Sequence, residues 1–218
     1  MENKFYLEVR DGVRTFGDST VLEHVSIQVE RGEICGLVGR NGSGKTMLLR
    51  CICGLVPLTS GTVWIGGSEV GQKKGSLPDI GALIETPGFL PGFSGYQNLK
   101  LLASLKKKIG REEIYGIMKE VGLDPESKKH VGKYSLGMCQ RLGIAQAIME
   151  SPELILLDEP MNGLDEQGVA DMRQLFWRLK EQGKTIVLAT HVKEDVELLC
   201  DRIYRLRDGR VMESESKL

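Results

Sequence analysis

The stretch ICGLVGRNGSGKT, residues 34–46, decides the fold of this chain. Its first part, Ile34 to Val38, is a short apolar run between turn signals, which is typical of a buried parallel strand. Residues 39–46 match the pattern G-x-x-x-x-G-K-[ST]. The next segment, Lys45 to Leu55, is predicted to be a helix that Gly54 closes. A strand, a glycine-rich loop and a helix in this order indicate an α/β protein.

The glycine-rich loop is predicted to bind nucleotide phosphates. Its glycines allow backbone N–H groups to turn inward, and the start of the following helix adds positive potential. We expect Lys45 to contact the β- and γ-phosphates and the Thr46 hydroxyl to ligate Mg²⁺. The expected phosphate-binding residues are Gly39, Arg40, Asn41, Gly42, Ser43, Gly44, Lys45 and Thr46. The alternative is a glycine turn that merely enters a helix.

A second apolar strand, Leu154 to Leu157, ends in two carboxylates, Asp158 and Glu159. In open α/β sheets, ligands bind at the carboxyl ends of the strands. We therefore expect Asp158 to hold Mg²⁺. Glu159 should point in another direction and polarise a water for attack on the γ-phosphate. The alternative is a solvated strand end.

Two further positions carry weaker signals. Ser135 precedes a predicted helix, either as its N-cap or as part of a second anion-binding helix terminus. His191 follows the predicted strand Thr185 to Ala189. A lone histidine is usually structural, but its position beside the predicted phosphate site favours a polar contact to phosphate.

The order of the predicted elements outlines the architecture. The first thirty residues alternate in polarity, which indicates antiparallel strands with turns around Asp11-Gly12 and Gly17-Asp18. A largely helical stretch, about 86–150, interrupts the α/β pattern, and a polar loop is predicted over 71–79. We expect one domain over 1–218, with a parallel core sheet, an N-terminal antiparallel β subdomain and an inserted α-helical subdomain.

Composition excludes several classes. Hydrophobic residues make up 41% of the chain, which rules out a fully disordered protein. The 29 basic and 30 acidic residues leave no global basic field, so no nucleic-acid partner is expected, the alternative being a local basic patch. No apolar run is long enough to span a bilayer and Met1 to Arg10 is charged, which predicts a cytoplasmic chain. The 5 cysteines form no C-x-x-C pair and are expected to be reduced thiols.

Together, in this order, these motifs resemble the ATP-binding subunit of ABC transporters over nearly the whole chain. Gly39 to Thr46 resembles the Walker A motif, and Leu154 to Asp158 with Glu159 resembles Walker B and the catalytic glutamate. Tyr134 to Met138 resembles the signature motif, usually Leu-Ser-Gly-Gly-Gln. Ser135 and Gly137 match that motif, whereas Tyr134, Leu136 and Met138 do not. Asn162 to Asp165 resembles the D-loop, His191 the switch histidine, and Phe16 the aromatic residue that stacks on adenine.

The resemblance implies an ATPase with a P-loop NTPase core that converts ATP and water to ADP and phosphate. Two such domains, in a homodimer or a pair of subunits, would sandwich two ATPs. Each ATP would lie between one chain's Walker A motif and the other's signature motif. The hydrolysis would drive export through a separate integral-membrane permease, with this chain peripheral on the inner face of the cell membrane.

One position departs from the family pattern. The family's glutamine should follow the strand Ile80 to Ile84, and Glu85 stands there instead. A glutamate can bind Mg²⁺ but cannot donate a hydrogen bond. We expect Glu85 to act as a catalytic link and a Mg²⁺ ligand, the alternative being a solvated loop carboxylate. Residues 80–89 and 134–138 resemble the subgroup that pairs with export permeases for antimicrobial peptides such as bacitracin or lantibiotics.

Three functions remain possible from the sequence. In the first, the chain drives an exporter, and the apolar residues Phe89, Leu90, Phe93 and Tyr96 either dock a permease helix or pack internally. In the second, the chain is a soluble, non-transport ABC ATPase that acts on a protein or nucleic-acid partner. The third is a P-loop kinase of a small molecule, against which Asp158-Glu159, the signature-like segment and His191 argue.

Overall fold

A computed structural model describes residues 4–71 and 79–217. The predicted polar loop over 71–79 lies outside these ranges except for its two end residues. The elements in chain order are β1 (Phe5–Phe16), β2 (Ser19–Glu30), β3 (Ile34–Val38), α1 (Lys45–Ile52), β4 (Ser60–Ile65), β5 (Ser68–Glu69), β6 (Ile80–Leu83), α2 (Gly95–Lys106), α3 (Arg111–Glu120), a short 3₁₀ turn (Val131–Lys133), α4 (Leu136–Ile148), β7 (Leu154–Asp158), α5 (Glu166–Glu181), β8 (Thr185–Thr190), α6 (Lys193–Leu199), β9 (Arg202–Arg207) and β10 (Arg210–Ser216).

The described strands form two sheets. The first is antiparallel, in the order β2-β1-β4-β5. The second has the order β10-β9-β3-β8-β7-β6, in which every pair is parallel except β10 with β9. This confirms the predicted α/β class with a parallel core sheet and an antiparallel N-terminal sheet. Because β3, β6, β7 and β8 are parallel, the residues that follow them meet at one edge of the sheet.

The predicted turn at Asp11-Gly12 is wrong. β1 runs through these residues, and its pairing with β2 shifts register between Val9 and Gly12, as in a β-bulge. Asp11 takes a left-handed φ of 51°, and its N–H donates to the Ser26 hydroxyl at 3.0 Å. Asp-Gly tolerates left-handed backbone in a bulge as well as in a turn, so the local signal does not distinguish them. The turn at Gly17-Asp18 is confirmed.

Strand β7 explains how the core is divided. Its residues are all buried, and the four apolar ones that precede Asp158 alternate between two hydrophobic clusters. Leu154 and Leu156 pack in a cluster with residues of β1, β2 and α1, whereas Ile155 and Leu157 pack with the helices on the other face. Burying each such side chain contributes about 1.5–3 kcal/mol. A strand covered on both faces must be apolar throughout, which is why its sequence shows no alternation.

Helices α2, α3 and α4 lie between β6 and β7 in the chain, as the sequence predicts. Ser94 and Gln97 form a capping box that starts α2, and Ser135 caps α4. Helix α1 ends at Ile52, earlier than the predicted Leu55, because Gly54 already takes a left-handed φ of 73°. Within residues 4–71 and 79–217, no helix combines the length and apolarity needed to cross a bilayer.

Candidate nucleotide site

The phosphate loop connects β3 to α1 in a conformation that requires glycine. Gly42 and Gly44 have φ values of 81° and 104°, in the region that side chains other than glycine rarely adopt. A Cβ on Gly39 would lie 2.4 Å from the Leu206 carbonyl oxygen. No side chain caps the start of α1 in the described chain. Its first N–H groups can therefore bind an anion.

The hydroxyl of Ser43 also indicates that the loop binds an anion. Ser43 is buried, and its Oγ has no hydrogen-bond partner among the described residues. A buried hydroxyl without a partner costs free energy unless a ligand or water satisfies it. The loop therefore has the donors and the unsatisfied polar atom that a phosphate group would complete.

Lys45 places a buried positive charge inside this loop. Its Nζ donates hydrogen bonds to the carbonyl oxygens of Gly39 at 2.7 Å and Arg40 at 3.3 Å. The same Nζ lies 3.6 Å from the Glu159 carboxylate. The ammonium group is thus held where the phosphates of a nucleotide would approach the start of α1.

Thr46 and Asp158 meet across the cleft between α1 and β7. The Thr46 hydroxyl donates to Asp158 Oδ2 at 2.7 Å. Burial raises the pKa of Asp158, and the negative charge of Glu159 raises it further, whereas the Thr46 hydroxyl, Lys45 and the N–H of Glu85 lower it. Hydroxyl and carboxylate oxygens are ligands that Mg²⁺ prefers.

These two oxygens fit a magnesium site that shares its ion with a bound nucleotide. Within the described chain, no cluster of three or more His, Cys, Asp or Glu side chains could hold a metal. A cation beside Thr46 and Asp158 would therefore take its other ligands from phosphate and water. Mg²⁺ usually binds proteins in this way, through few side chains and several waters.

Glu159 is held in a strained conformation directly after β7. Its φ is 47°, and its N–H donates to the Ala189 carbonyl oxygen at 2.9 Å. Its carboxylate Oε1 lies 2.9 Å from His191 Nδ1. Such strain persists only where surrounding contacts enforce it, and it is common at functional sites. The structure thus brings together the two residues that the sequence assigns to water activation and to phosphate contact.

Gln140 is a contact of this site that the sequence analysis missed. Its Nε2 donates to the Glu159 carbonyl oxygen at 3.2 Å from a buried position in α4. The contact links the helical segment directly to the backbone of Glu159. No local sequence signal marks this contact, because Gln140 stands beside Arg141 in α4 and a glutamine on a helix is ordinarily exposed.

Glu85 lies in the same cleft but not in direct contact with Glu159. It follows β6 with a left-handed φ of 58°, and its carboxylate lies 2.5 Å from Arg50 Nη2. Its N–H helps to lower the pKa of Asp158. The whole cleft has a volume of about 590 Å³. Its lining residues are Val21, Asn41, Gly42, Ser43, Gly44, Lys45, Thr46, Met47, Arg50, Glu85, Thr86, Leu136, Gln140, Asp158, Glu159 and Asn162.

Six predicted site residues do not line this cleft: Gly39 and Arg40, whose carbonyl oxygens accept from Lys45, His191, which contacts Glu159, and Ser135, Gly137 and Phe16. The Ser135 hydroxyl accepts a hydrogen bond from the Met138 N–H at 3.2 Å, as an N-cap does. Gly137 packs so closely that a Cβ would lie 2.8 Å from the Gly163 carbonyl oxygen. Phe16 is exposed at the end of β1, with the Arg14 guanidinium 4.2 Å from its ring centroid. Their roles toward nucleotide stay predictions.

Comparison with known proteins gives the family. The model of the ABC transporter family matches residues 22–162. The uncharacterized ABC transporter ATP-binding protein YybJ of Bacillus subtilis is 41% identical over 209 residues, which are 96% of each chain. The bacitracin transport ATP-binding protein BcrA of Bacillus licheniformis is 39% identical over 95% of this chain and 68% of its own. The lantibiotic transport ATP-binding protein SrtF of Streptococcus pyogenes is 34% identical over 94% of this chain and 89% of its own.

Solved structures agree in fold and in the reaction. The dimeric bacterial ABC transporter cassette MJ0796 superposes with a TM-score of 0.88 at 25% identity, covering 96% of this chain and 98% of its own. The same cassette in a dimeric post-hydrolysis state with ADP and Pi gives a TM-score of 0.89. These relatives favour transport over the non-transport alternative. The chain belongs to the ABC transporter family, as an ATP-binding subunit that hydrolyses ATP.

Proposed function

We propose that this chain powers the export of an antimicrobial peptide through a separate permease. The observation that carries the proposal is the single cleft that gathers Lys45, the Thr46–Asp158 pair and Glu159, whose carboxylate contacts His191. The names of the relatives BcrA and SrtF support the class of cargo. We further propose that residues 1–218 form one ATP-binding domain whose helical subdomain spans about 86–150.

Each residue of the cleft has its own role in the hydrolysis of ATP. The loop N–H groups and Lys45 bind the β- and γ-phosphate oxygens and oppose their charge. Thr46 and Asp158 would hold Mg²⁺, which would further neutralise the phosphate charge. The Glu159 carboxylate orients a water and takes its proton as the water oxygen attacks the γ-phosphorus. The bond from the γ-phosphorus to the bridging oxygen breaks, which leaves ADP and phosphate. His191 holds the Glu159 carboxylate and contacts the γ-phosphate.

A second copy, or a related ATP-binding subunit, completes the site. Ser135 lies exposed at the start of α4 and Phe16 is exposed at the end of β1. Ser135 and Gly137 bind the ATP of the partner subunit in this proposal, and Phe16 stacks on adenine of its own ATP. The dimeric MJ0796 cassette supports this arrangement.

The permease binds the loop that follows Glu85. Leu90 and Phe93 are 44% and 42% exposed, although Phe89 and Tyr96 pack partly against the helical core. Two exposed apolar side chains close together in a loop are a suitable contact for an apolar face of another protein. Docked in this way, the subunit lies peripherally at the inner face of the cell membrane.

Glu85 connects this docking loop to the nucleotide in our proposal. Its N–H helps to lower the pKa of Asp158, and the residue lines the cleft just ahead of the loop. Glu85→Ala should lower ATPase activity and its stimulation by the permease while sparing ATP binding. Glu85→Gln should retain more activity than Glu85→Ala. Equal basal and permease-stimulated rates in wild type and Glu85→Ala would contradict this role.

Reconstitution tests the transport function. The chain is co-expressed with the membrane protein encoded beside it, purified in detergent and placed in liposomes that contain bacitracin. We expect co-purification, ATPase stimulation by the membrane protein, and ATP-dependent movement of the peptide that Glu159→Gln abolishes. A chain that purifies alone, with an ATPase rate indifferent to the membrane protein, would instead support the non-transport alternative.

A further inference from the structure

Arg50 and Glu85 form an ion pair that lines the nucleotide cleft. Nη2 of Arg50 lies 2.5 Å from Oε2 of Glu85, and both residues line the cleft. Arg50 belongs to the last turn of α1, the helix that begins at the phosphate loop. Glu85 begins the segment that leads to the exposed Leu90 and Phe93. The pair therefore connects the phosphate-loop helix to the proposed docking loop.

The position of the Glu85 carboxylate depends on Arg50. The Glu85 backbone takes a left-handed conformation, which is uncommon for residues other than glycine. Its side chain is about half exposed and pairs with Arg50, and this contact sets where its negative charge lies.

The charges of the cleft show why the contact between Arg50 and Glu85 matters. Among the described lining residues, the carboxylates are those of Glu85, Asp158 and Glu159, and the cations are Lys45 and Arg50. Lys45 already contacts the loop carbonyls and Glu159. A triphosphate adds more negative charge, and like charges at short range repel. Arg50 is the cation placed to offset the charge of Glu85.

We propose that Arg50 is a positioning residue that neutralises Glu85 and keeps its carboxylate from opposing the nucleotide phosphates. The inference rests on the proposed function of Glu85 as the link to the permease. A glutamine at position 85 carries no charge and does not need a cationic partner. The requirement for Arg50 should therefore depend on which residue occupies position 85.

A double-mutant cycle tests this dependence. The proteins are wild type, Arg50→Met, Glu85→Gln and the double variant, with Arg50→Lys as the conservative change. ATP affinity is measured by titration in EDTA, which separates phosphate binding from the metal. When Glu85 is present, we expect Arg50→Met to weaken ATP binding about three- to fivefold. In the Glu85→Gln background, the same change should weaken ATP binding less than about 1.5-fold. Arg50→Lys should restore most of the affinity.

Arg31 provides a matched control. Its guanidinium pairs with Glu153 at 2.7 Å, but both residues precede their strands and so lie at the sheet edge opposite the cleft. Arg31→Met should leave ATP affinity and ATPase activity unchanged. The melting temperature of Arg50→Met should stay close to that of wild type, because the pair is partly exposed and contributes little to stability.

The outcomes separate the inference from the function on which it rests. Unchanged ATP affinity in Arg50→Met would overturn the inference. An equal loss in both backgrounds would overturn it too, since Arg50 would then act on ATP or on α1 without Glu85. The role of Glu85 toward the permease is judged separately, from the stimulated ATPase rate of Glu85→Ala.

Discussion

Lys45 shows how one side chain can be prepared for a ligand before the ligand arrives. Its ammonium is buried and is held by two backbone carbonyl oxygens of the loop. Carbonyl dipoles stabilise this charge without cancelling it, so a phosphate can still gain from it. The neighbouring Ser43 hydroxyl has no hydrogen-bond partner among the described residues. A ligand that hydrogen-bonds to it would offset the free-energy cost of burying it.

Lys45→Ala is expected to weaken ATP binding about 10- to 100-fold, the range for losing a hydrogen bond to a charged group. The reason is that the β- and γ-phosphate oxygens lose their buried counter-charge. ATP titration measures the effect, and circular dichroism checks that the variant is folded. A folded variant with wild-type affinity would contradict the assignment of the phosphate loop.

Glu159→Gln is expected to bind ATP normally and to hydrolyse it about 10²–10⁴ times more slowly. The amide is almost the same size as the carboxylate but cannot take the proton of the attacking water. ATP that is bound but not hydrolysed should hold two subunits together. Steady-state ATPase rates and size-exclusion chromatography with Mg²⁺-ATP measure the two effects, and normal turnover would refute the role of Glu159.

One buried ion pair holds helix α6 against helix α5. The Arg173 side chain on α5 contacts Asp195 on α6 through Nε at 2.8 Å and Nη2 at 2.6 Å. Asp195 is only 1% exposed. Helix α6 begins just after His191, so this pair also sets where the chain goes as it leaves the nucleotide site.

Arg173→Met is expected to lower the free energy of unfolding by about 3–5 kcal/mol, because it leaves the buried Asp195 carboxylate without its partner. Arg178→Met is the matched control on the same helix. Arg178 pairs with Glu120 in a largely exposed contact, so its loss should cost less than about 1 kcal/mol. Urea denaturation compares the two variants, and equal losses would show that burial does not decide the outcome.

The whole molecule depends on close packing between the sheet and the helical segment. Gly81 of β6 lies against the end of α4, where an added Cβ would come within 1.7 Å of the Ala147 carbonyl oxygen. A Cβ added to Gly116 of α3 would meet no atom of the described residues within 4 Å, apart from its neighbours and the backbone of its own helix. The contact at Gly81 sets the distance between the helical segment and the core sheet.

Gly81→Ala is expected to destabilise the protein by about 1–3 kcal/mol or more, because either the backbone of α4 or β6 must move. Gly116→Ala should instead stabilise it by about 0.5–1 kcal/mol, since alanine is the better helix former. Thermal unfolding followed by circular dichroism measures both changes. A stability gain in Gly81→Ala would mean that the packing at β6 and α4 is looser than the structure shows.

The sequence by itself determined the fold class and the residues at the strand ends. Three contiguous patterns carry this information: the phosphate loop, the apolar strand before Asp158 and Glu159, and the capped helices. Each pattern determines the backbone conformation of its own segment. The parallel order of the core strands then implies that the residues after β3, β6, β7 and β8 share one edge. The sequence motifs therefore indicate a single cleft at this edge.

Only the tertiary structure decided which side chains hold the site residues in place. Gln140 contacts the Glu159 backbone, and Arg50 contacts Glu85, across long separations in sequence. Neither Gln140 nor Arg50 has a local signature, because a glutamine or an arginine on a helix is ordinarily exposed and solvated. Packing of the helices against the sheet brings these groups together. Their partners follow from three-dimensional proximity, which is not a property of any one segment of the chain.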